Sequence, residues 1–480
     1  MAISDPESHL PFRHFRIRIY FNGYNMDLVM SQKFDVAIIG AGLLGIASAF
    51  YLARSTPSCR IILIDAGDPL ALTSAQSGNN YRNWWPQPTM VGFMNRSITL
   101  MERIAKETDN RIALTRRGYL LASRSADISA QHGQLTAVFG AAGGPAIRVH
   151  TTPDSAGYQP PVFPDWKSAP DGFDFLTDQQ AIRQHFPSLS HEVRSVLHVR
   201  RAGDVSGQQL GQFMLEDCRA RGVRFQRGTV QGIDSGRHYD LAVETAEGTI
   251  KVGAERILNA AGPFASHIAS LVGVSLPLAN VPQQKVAFPD PAGAIPRDLP
   301  FTIDIDPQHI DWTDEERDLL LSDPDSARFA SRMPGAIHCR PEGGDHGNWV
   351  KLGWAYNSYA APACRSLNLD PRFPEIVLRG AARLHPALKV YYGKLPRQMV
   401  HYGGFYTKTS DNWPLIGPMG APDAFMVCGL SGHGTMAACT SGELAASWLN
   451  GCPLPEWAGH FLLDRFEKAE PRVLGEEGLL

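Results

Sequence analysis

The chain has no CxxC pair, no long apolar run and no excess of charge of either sign. Its seven cysteines (Cys59, Cys218, Cys339, Cys364, Cys428, Cys439, Cys452) are scattered and odd in number. That argues against a disulfide framework or a zinc site and for free thiols in a reducing, cytoplasmic setting. A membrane-spanning helix needs roughly 18 consecutive apolar residues, and no run approaches that length. The formal net charge of -3 comes from 45 basic and 48 acidic residues mixed along the chain. This leaves no electrostatic footprint for nucleic acid or an anionic membrane, so small molecules are the expected partners.

What is present is 480 residues with 44% apolar content, enough for two or three domains around a large core. Residues 1–33 read as an extension: "FRIRIYF" contains arginines that interrupt any signal-peptide-like apolar stretch. A targeting use stays open, as do Met26 and Met30 as alternative starts. From Phe34, "FDVAIIGAGLLGIASAFYLARSTPSCRIILIDAG" reads as buried strand, glycine turn, helix and second strand. Gly40, Gly42 and Gly45 form GxGxxG, and Asp65 ends the second strand 20 residues after Gly45. Gly40 permits the tight turn, Gly42 lets backbone approach a pyrophosphate, Gly45 lets helix pack on strand, and Asp65 is placed to accept from a ribose hydroxyl. A dinucleotide site is expected here; a tight turn without nucleotide is the bland alternative.

Further along, "GTVQGIDSGRHYDLAVETAEGTIKVGAERILNAAG" reads as hairpin strands leading into a buried strand. "DAFMVCGLSGHGTMAACTSGELAASWLNG" gives strand, glycine turn and long helix. Residues 118–195 and 281–397 are richer in Pro, Gly and turns. The expected division is 34–118, 195–280 and 398–470 in a nucleotide-binding unit, with 119–194 and 281–397 in a substrate unit.

Three stretches, "HYGGFYTKTSDNWPLIGP", "CGLSGHGTMAACTSGELAA" and "LNAAGPFAS", together resemble the D-amino acid oxidase superfamily of FAD enzymes, and within it the sarcosine oxidase-like branch. The resemblance implies an α/β fold. A Rossmann-like, glutathione-reductase-like FAD domain would be interleaved with a substrate domain of mixed β-sheet plus helices. It also selects FAD over NAD. Along the cofactor it places Gly40, Gly42, Leu44, Gly45, Asp65, Ala66, Ser77, Gly78, Asn79, Asn80, Val230, Ala261 and Gly262. At the flavin it adds Gly404, Gly429, Ser431, Gly432, His433, Gly434, Thr435 and Met436. The helix after "GHGTM" would aim its N-terminal N–H groups at the flavin's electron-rich pyrimidine end.

The activity implied is hydride transfer from the carbon of a C–N bond in an amino acid or secondary amine, with imine release and reoxidation by oxygen giving hydrogen peroxide. A dehydrogenase passing electrons to a quinone or protein carrier, and a non-catalytic FAD-binding assembly factor, remain open. Lys351, 53 residues before Gly404, matches the family's oxygen-activating lysine; an outward lysine on a plain strand is the alternative. His433 as a proton carrier or a turn organiser, and Tyr406 as a substrate-facing or packing residue, stay undecided. Two departures stand out. Gly404 occupies the position where relatives carry a flavin-tethering cysteine, so non-covalent FAD is expected. Met436 occupies the position of a lysine that helps relatives bind a carboxylate. Arg82 is left as candidate anchor, or as a brace of its loop. Around it Tyr81, Trp84 and Trp85 would form a substrate wall or merely pack. Lys285 and the acidic Asp314, Glu315 and Glu316 are expected on the solvated surface.

Overall fold

The computed structural model describes residues 32–154, 157–161, 166–344 and 347–467, so nearly all of the expected 1–33 extension lies outside the described residues. Strand Gln32–Ile39 runs through the first sheet, and Val36, Ala37 and Ile38 are buried whichever face they point to. That burial is what a parallel strand covered on both sides requires. It pairs in parallel with Ile61–Asp65 on one side and Gly248–Asn259 on the other. Arg224–Arg227 closes the Ile61 side, and the antiparallel Tyr239–Thr245 and Thr229–Ser235 extend the other. Ala424–Cys428 adds in parallel to the end of Gly248–Asn259, with Leu415–Pro418 antiparallel beside it. Helix Leu43–Ser55 packs on helix Gly434–Asn450 so closely that Gly442 lies against the backbone of Ala47.

A second sheet of nine strands runs in the order Val400–Lys408, Ala279–Pro289, Trp349–Gly353, Ile337–Glu342, Phe301–Asp304, Tyr119–Ser123, Ser195–Val199, Phe173–Leu176, Ile147–His150. It is mixed: most pairs are antiparallel, but Phe301–Asp304 runs parallel to Tyr119–Ser123 and Ile147–His150 to Phe173–Leu176. Strand periodicity of two divides its residues between the faces. Val286, Phe288, Ile337, Cys339, Val350 and Leu352 join Ile376, Val377 and Leu384 of helix Phe373–Leu384 in one apolar cluster. The alternate positions, Lys285, His338, Arg340 and Lys351, therefore stand on the opposite face.

Two strands cross the expected domain boundaries. Ser195–Val199 and Val400–Lys408, drawn with the nucleotide unit, hydrogen-bond within the second sheet. A short antiparallel pair, Asn80–Arg82 with Ala202–Asp204, stands apart from both sheets. The acidic stretch forms helix Asp314–Ser322 behind a Thr313–Glu316 capping box, and Glu316 also pairs with Arg379 at 2.6 Å. Among the described residues no helix is long and apolar enough to cross a membrane.

Candidate functional site

The turn after the first strand sets one end of an elongated trough. Gly40 has φ +112° and lies against the carbonyl of Ala260, so a side chain there would meet both backbone strain and a clash. Gly45 lies against the Gly40 carbonyl, which lets the helix start at once. Asp65 accepts from the Ala41 and Gly67 amides, each at 2.8 Å, and so pins the loop after its own strand to the turn. A cavity of about 240 Å³ opens here, lined by Gly42, Asp65, Ala66, Val230, Ala261, Gly262 and the more distant Arg365. A second cavity of about 120 Å³ continues it along Leu44, Ser77, Gly78, Gly404, Tyr406, Gly429, Ser431, Gly432, Gly434 and Thr435. The two share Gly42, Thr73, Ser74, Ala260, Gly262 and Pro263, so they form one continuous groove. It begins at the N-terminus of helix Leu43–Ser55 and ends at that of helix Gly434–Asn450. Such a groove suits an extended dinucleotide with its phosphates at the first helix.

A smaller chamber of about 50 Å³ opens off the trough through Ser77, Gly78, Lys285, Tyr406, Gly432 and Thr435. Asn79, Asn80, Arg82, Tyr119, Phe301, Ile303, His338, His433 and Met436 complete its lining. Thr435 Oγ1 and Ser77 Oγ, 2.6 Å apart, tie the cofactor loop to the second helix. Gly432 lies under the Tyr406 ring, where a Cβ would stand 2.7 Å from ring carbons.

Arg82 is buried, its guanidinium 4.8 Å from the Trp85 ring centroid and 5.8 Å from that of Tyr119. Burial lowers its pKa. His433 is pushed down to about 3 by burial and then by Arg82. Burial likewise takes His338 to about 3, with Lys285 adding to the effect. Burial thus favours the neutral form of both imidazoles. His338 Nδ1 lies 3.1 Å from the Ala336 carbonyl, which only accepts, so Nδ1 carries the proton and Nε2 offers a lone pair. Asn79 Oδ1, Asn80 Oδ1 and His433 Nε2 are buried with no hydrogen-bond partner among the described residues. Buried polar atoms left so are expected where a ligand completes the site.

Several expected positions fall elsewhere. Tyr81 alternates with Asn80 and Arg82 along its strand, so its ring enters the core and its hydroxyl donates to the Thr115 carbonyl. Trp84 packs beside Phe139, centroids 6.3 Å apart. Neither lines a described cavity. Trp85 stands behind the chamber, edge-on to His433 at 5.1 Å and beneath Arg82, and so supports the lining instead of forming it. Lys351 lines none of the described cavities: its Nζ sits 2.7 Å from Glu342, which Arg340 also holds at 2.7 Å. Burial, then Arg340, lowers the Lys351 pKa to about 8, partly opposed by Glu342. Lys285, expected on the surface, is instead 6% exposed and lines both trough and chamber. The alternation of Gln283 and Lys285 against Val286 and Phe288 was the available signal. His338 and Tyr119 carried no signal of their own.

The sequence profile of the DAO family, described as FAD dependent oxidoreductase, matches residues 35–448. Dimethylglycine dehydrogenase, mitochondrial, of Rattus norvegicus is 23% identical over 301 residues, covering 61% of this chain and 31% of that protein. The chain thus spans about a third of the length of the curated relatives it matches. Glycine oxidase from Geobacillus kaustophilus superposes with a TM-score of 0.65 at 18% identity, covering 90% of this chain and 99% of that one. L-proline dehydrogenase from P. horikoshii gives 0.68 at 18% identity, with 92% and 100% covered. At these identities the structural likeness speaks to the fold.

Proposed function

The chain belongs to the DAO family of FAD-dependent oxidoreductases, and from that premise we propose that it oxidises the C–N bond of a small amino acid or secondary amine. The observation that carries this reading is a buried arginine, Arg82, in a small chamber opening directly onto the cofactor trough. When bound, FAD would supply the two-electron acceptor for the α-hydrogen as hydride, the amine lone pair forming the C=N bond, so that an iminium results and its proton is shed to water after release. The protein's part is binding, orientation and exclusion of water. Arg82 makes a two-point contact with the substrate carboxylate, strengthened because Trp85 and Tyr119 keep water from the guanidinium. The Nε2 of His338 accepts a hydrogen bond from a neutral amine; a primary amine has a second N–H for His433 Nε2, and either contact orients the nitrogen lone pair. With their low pKa values the two imidazoles are poor bases, which suits a reaction in which the amine already enters unprotonated. The product leaves and is hydrolysed in water.

FAD is proposed to bind without a covalent link. Gly404 offers no nucleophile, and His401 points to the other face of its strand, stacked on Phe373 at 5.6 Å and bonded to Gln284. Precipitation with trichloroacetic acid is expected to leave a colourless pellet and a yellow supernatant; a yellow pellet overturns this.

Oxygen is the first reading for the acceptor, with Lys351 as the assisting cation. A quinone or protein carrier is the second, favoured by the Lys351–Glu342 pair, which offsets that cation's charge. Under the first, Lys351→Met slows reoxidation by oxygen by about tenfold or more and leaves anaerobic reduction alone. Under the second it changes neither, and an artificial dye is reduced much faster than oxygen. Anaerobic mixing with amino acids, N-methyl amino acids and hydroxy acids tests the whole reading. If none bleaches the flavin, a non-catalytic FAD-binding role replaces it.

A further inference from the structure

The cations around the chamber are not equivalent. Arg340 is paired with Asp204 at 3.3 Å and with Glu342 at 2.7 Å, and Lys351 is paired with Glu342. Lys285 stands on the same sheet face yet makes no ion pair among the described residues. Its Nζ stands 5.6 Å from the Tyr406 ring centroid. A buried ammonium is costly to leave without an anion, so the site is built to receive one at that point. Arg82 approaches the same chamber from the separate Asn80–Arg82 strand.

We propose that the substrate is an amino or imino diacid, with one carboxylate on Arg82 and the second on Lys285. The inference rests on the amine-oxidising reading above and deepens it. Arg82 and Lys285 are the cations of the chamber lining, whose Phe301, Ile303, Met436 and Tyr119 are apolar or neutral. A monocarboxylate on Arg82 leaves the Lys285 charge buried and unmatched, whereas a short diacid matches both and puts its nitrogen between them, at the two imidazoles. The positive field is registered by those imidazoles, one depressed by Arg82 and the other by Lys285, in each case after burial. The small chamber volume, about 50 Å³, favours a short chain over a long or polycyclic amine.

The test uses the FAD-loaded protein. Anaerobic flavin bleaching is titrated with iminodiacetate, aspartate and glutamate, and with sarcosine, alanine and proline as monoacid counterparts. In parallel, the non-oxidisable malonate, succinate and glutarate are titrated against acetate by the shift of the visible flavin spectrum. Diacids are expected to bind about tenfold or more tighter than monoacids in both series. In Lys285→Met that ratio falls to about one, and in Lys285→Arg, which keeps the cation, it persists. FAD content and thermal unfolding of each variant establish that it is folded, and Lys285→Arg carries the test if Lys285→Met does not fold. Equal binding of monoacids and diacids, or a Lys285→Met variant that keeps the diacid preference and only slows reoxidation by oxygen, overturns the diacid assignment while amine oxidation stands. If neither class reduces the flavin, both fall together.

Discussion

Arg82 shows how a single residue takes its character from the strand that holds it. In a three-residue strand, neighbours point to opposite sides. Asn80 and Arg82 reach the chamber while Tyr81 fills the core, and the Trp85 ring lies beneath the guanidinium. A hydrogen bond to a charged group contributes about 1.5–3 kcal/mol. Arg82→Met is therefore expected to raise the apparent substrate dissociation constant about 10- to 100-fold in anaerobic flavin titration, with FAD still bound. Unchanged affinity would leave Arg82 as a brace for Trp85 and His433. Arg82, Tyr406 and His433, each inside or beside a glycine-marked stretch, all line the chamber. Lys285 was expected on the surface and Lys351 beside the flavin, yet both interrupt apolar strands and the local pattern does not tell which one faces a cavity. What distinguishes them is a carboxylate on another strand, Glu342, which reaches Lys351 and leaves Lys285 to the cavity.

At the scale of elements, the βαβ unit was readable because its signals are local. The two strands are short β-branched runs, the glycines lie between strand and helix, and an acid ends the second strand. The strand Val400–Lys408, drawn with the nucleotide unit, pairs with Ala279–Pro289, which lies more than a hundred residues earlier, and no local pattern names a distant partner. That pairing matters to the site. It sets Tyr406 on the same face as Lys285 and over Gly432, so that strand, turn and helix meet at one ring. Gly432→Ala tests the junction. Its Cβ would stand 2.7 Å from the Tyr406 ring carbons, and overpacking of this kind costs about 1–3 kcal/mol. Urea unfolding of the FAD-loaded protein is expected to show a loss of that size, together with slower anaerobic reduction as Tyr406 shifts. A variant with both properties unaltered would show that the ring moves aside without consequence.

Over the whole molecule, the site's neutral histidines impose a pH limit on the fold. His338 and His433 are held at about 3 by burial, His385, wholly buried just beyond helix Phe373–Leu384, at about 4, and His198, also buried and beside Arg200, well below its usual value. In the unfolded chain each titrates near 6.5. Between those values the unfolded state binds protons that the folded state refuses, so stability is full above about pH 6.5 and falls as the pH drops below it. By pH 5 each histidine has withdrawn about 2 kcal/mol, roughly 8 kcal/mol for the four. That is a large part of the 5–15 kcal/mol typical of a folded protein. Carboxylates such as Asp174 and Glu342, whose pKa values are lowered by their ion pairs in spite of burial, begin to lose stability only below their unfolded range near 4, so the earlier loss belongs to the histidines. Urea midpoints measured at pH 7, 6 and 5 are expected to fall, most steeply between pH 6 and 5, and His385→Gln, remote from the trough, to flatten that fall by about a quarter. A midpoint constant down to pH 5 would mean that the imidazoles are reached by water or already charged in the folded protein. It would then remove the basis for assigning His338 and His433 as neutral acceptors for a substrate amine.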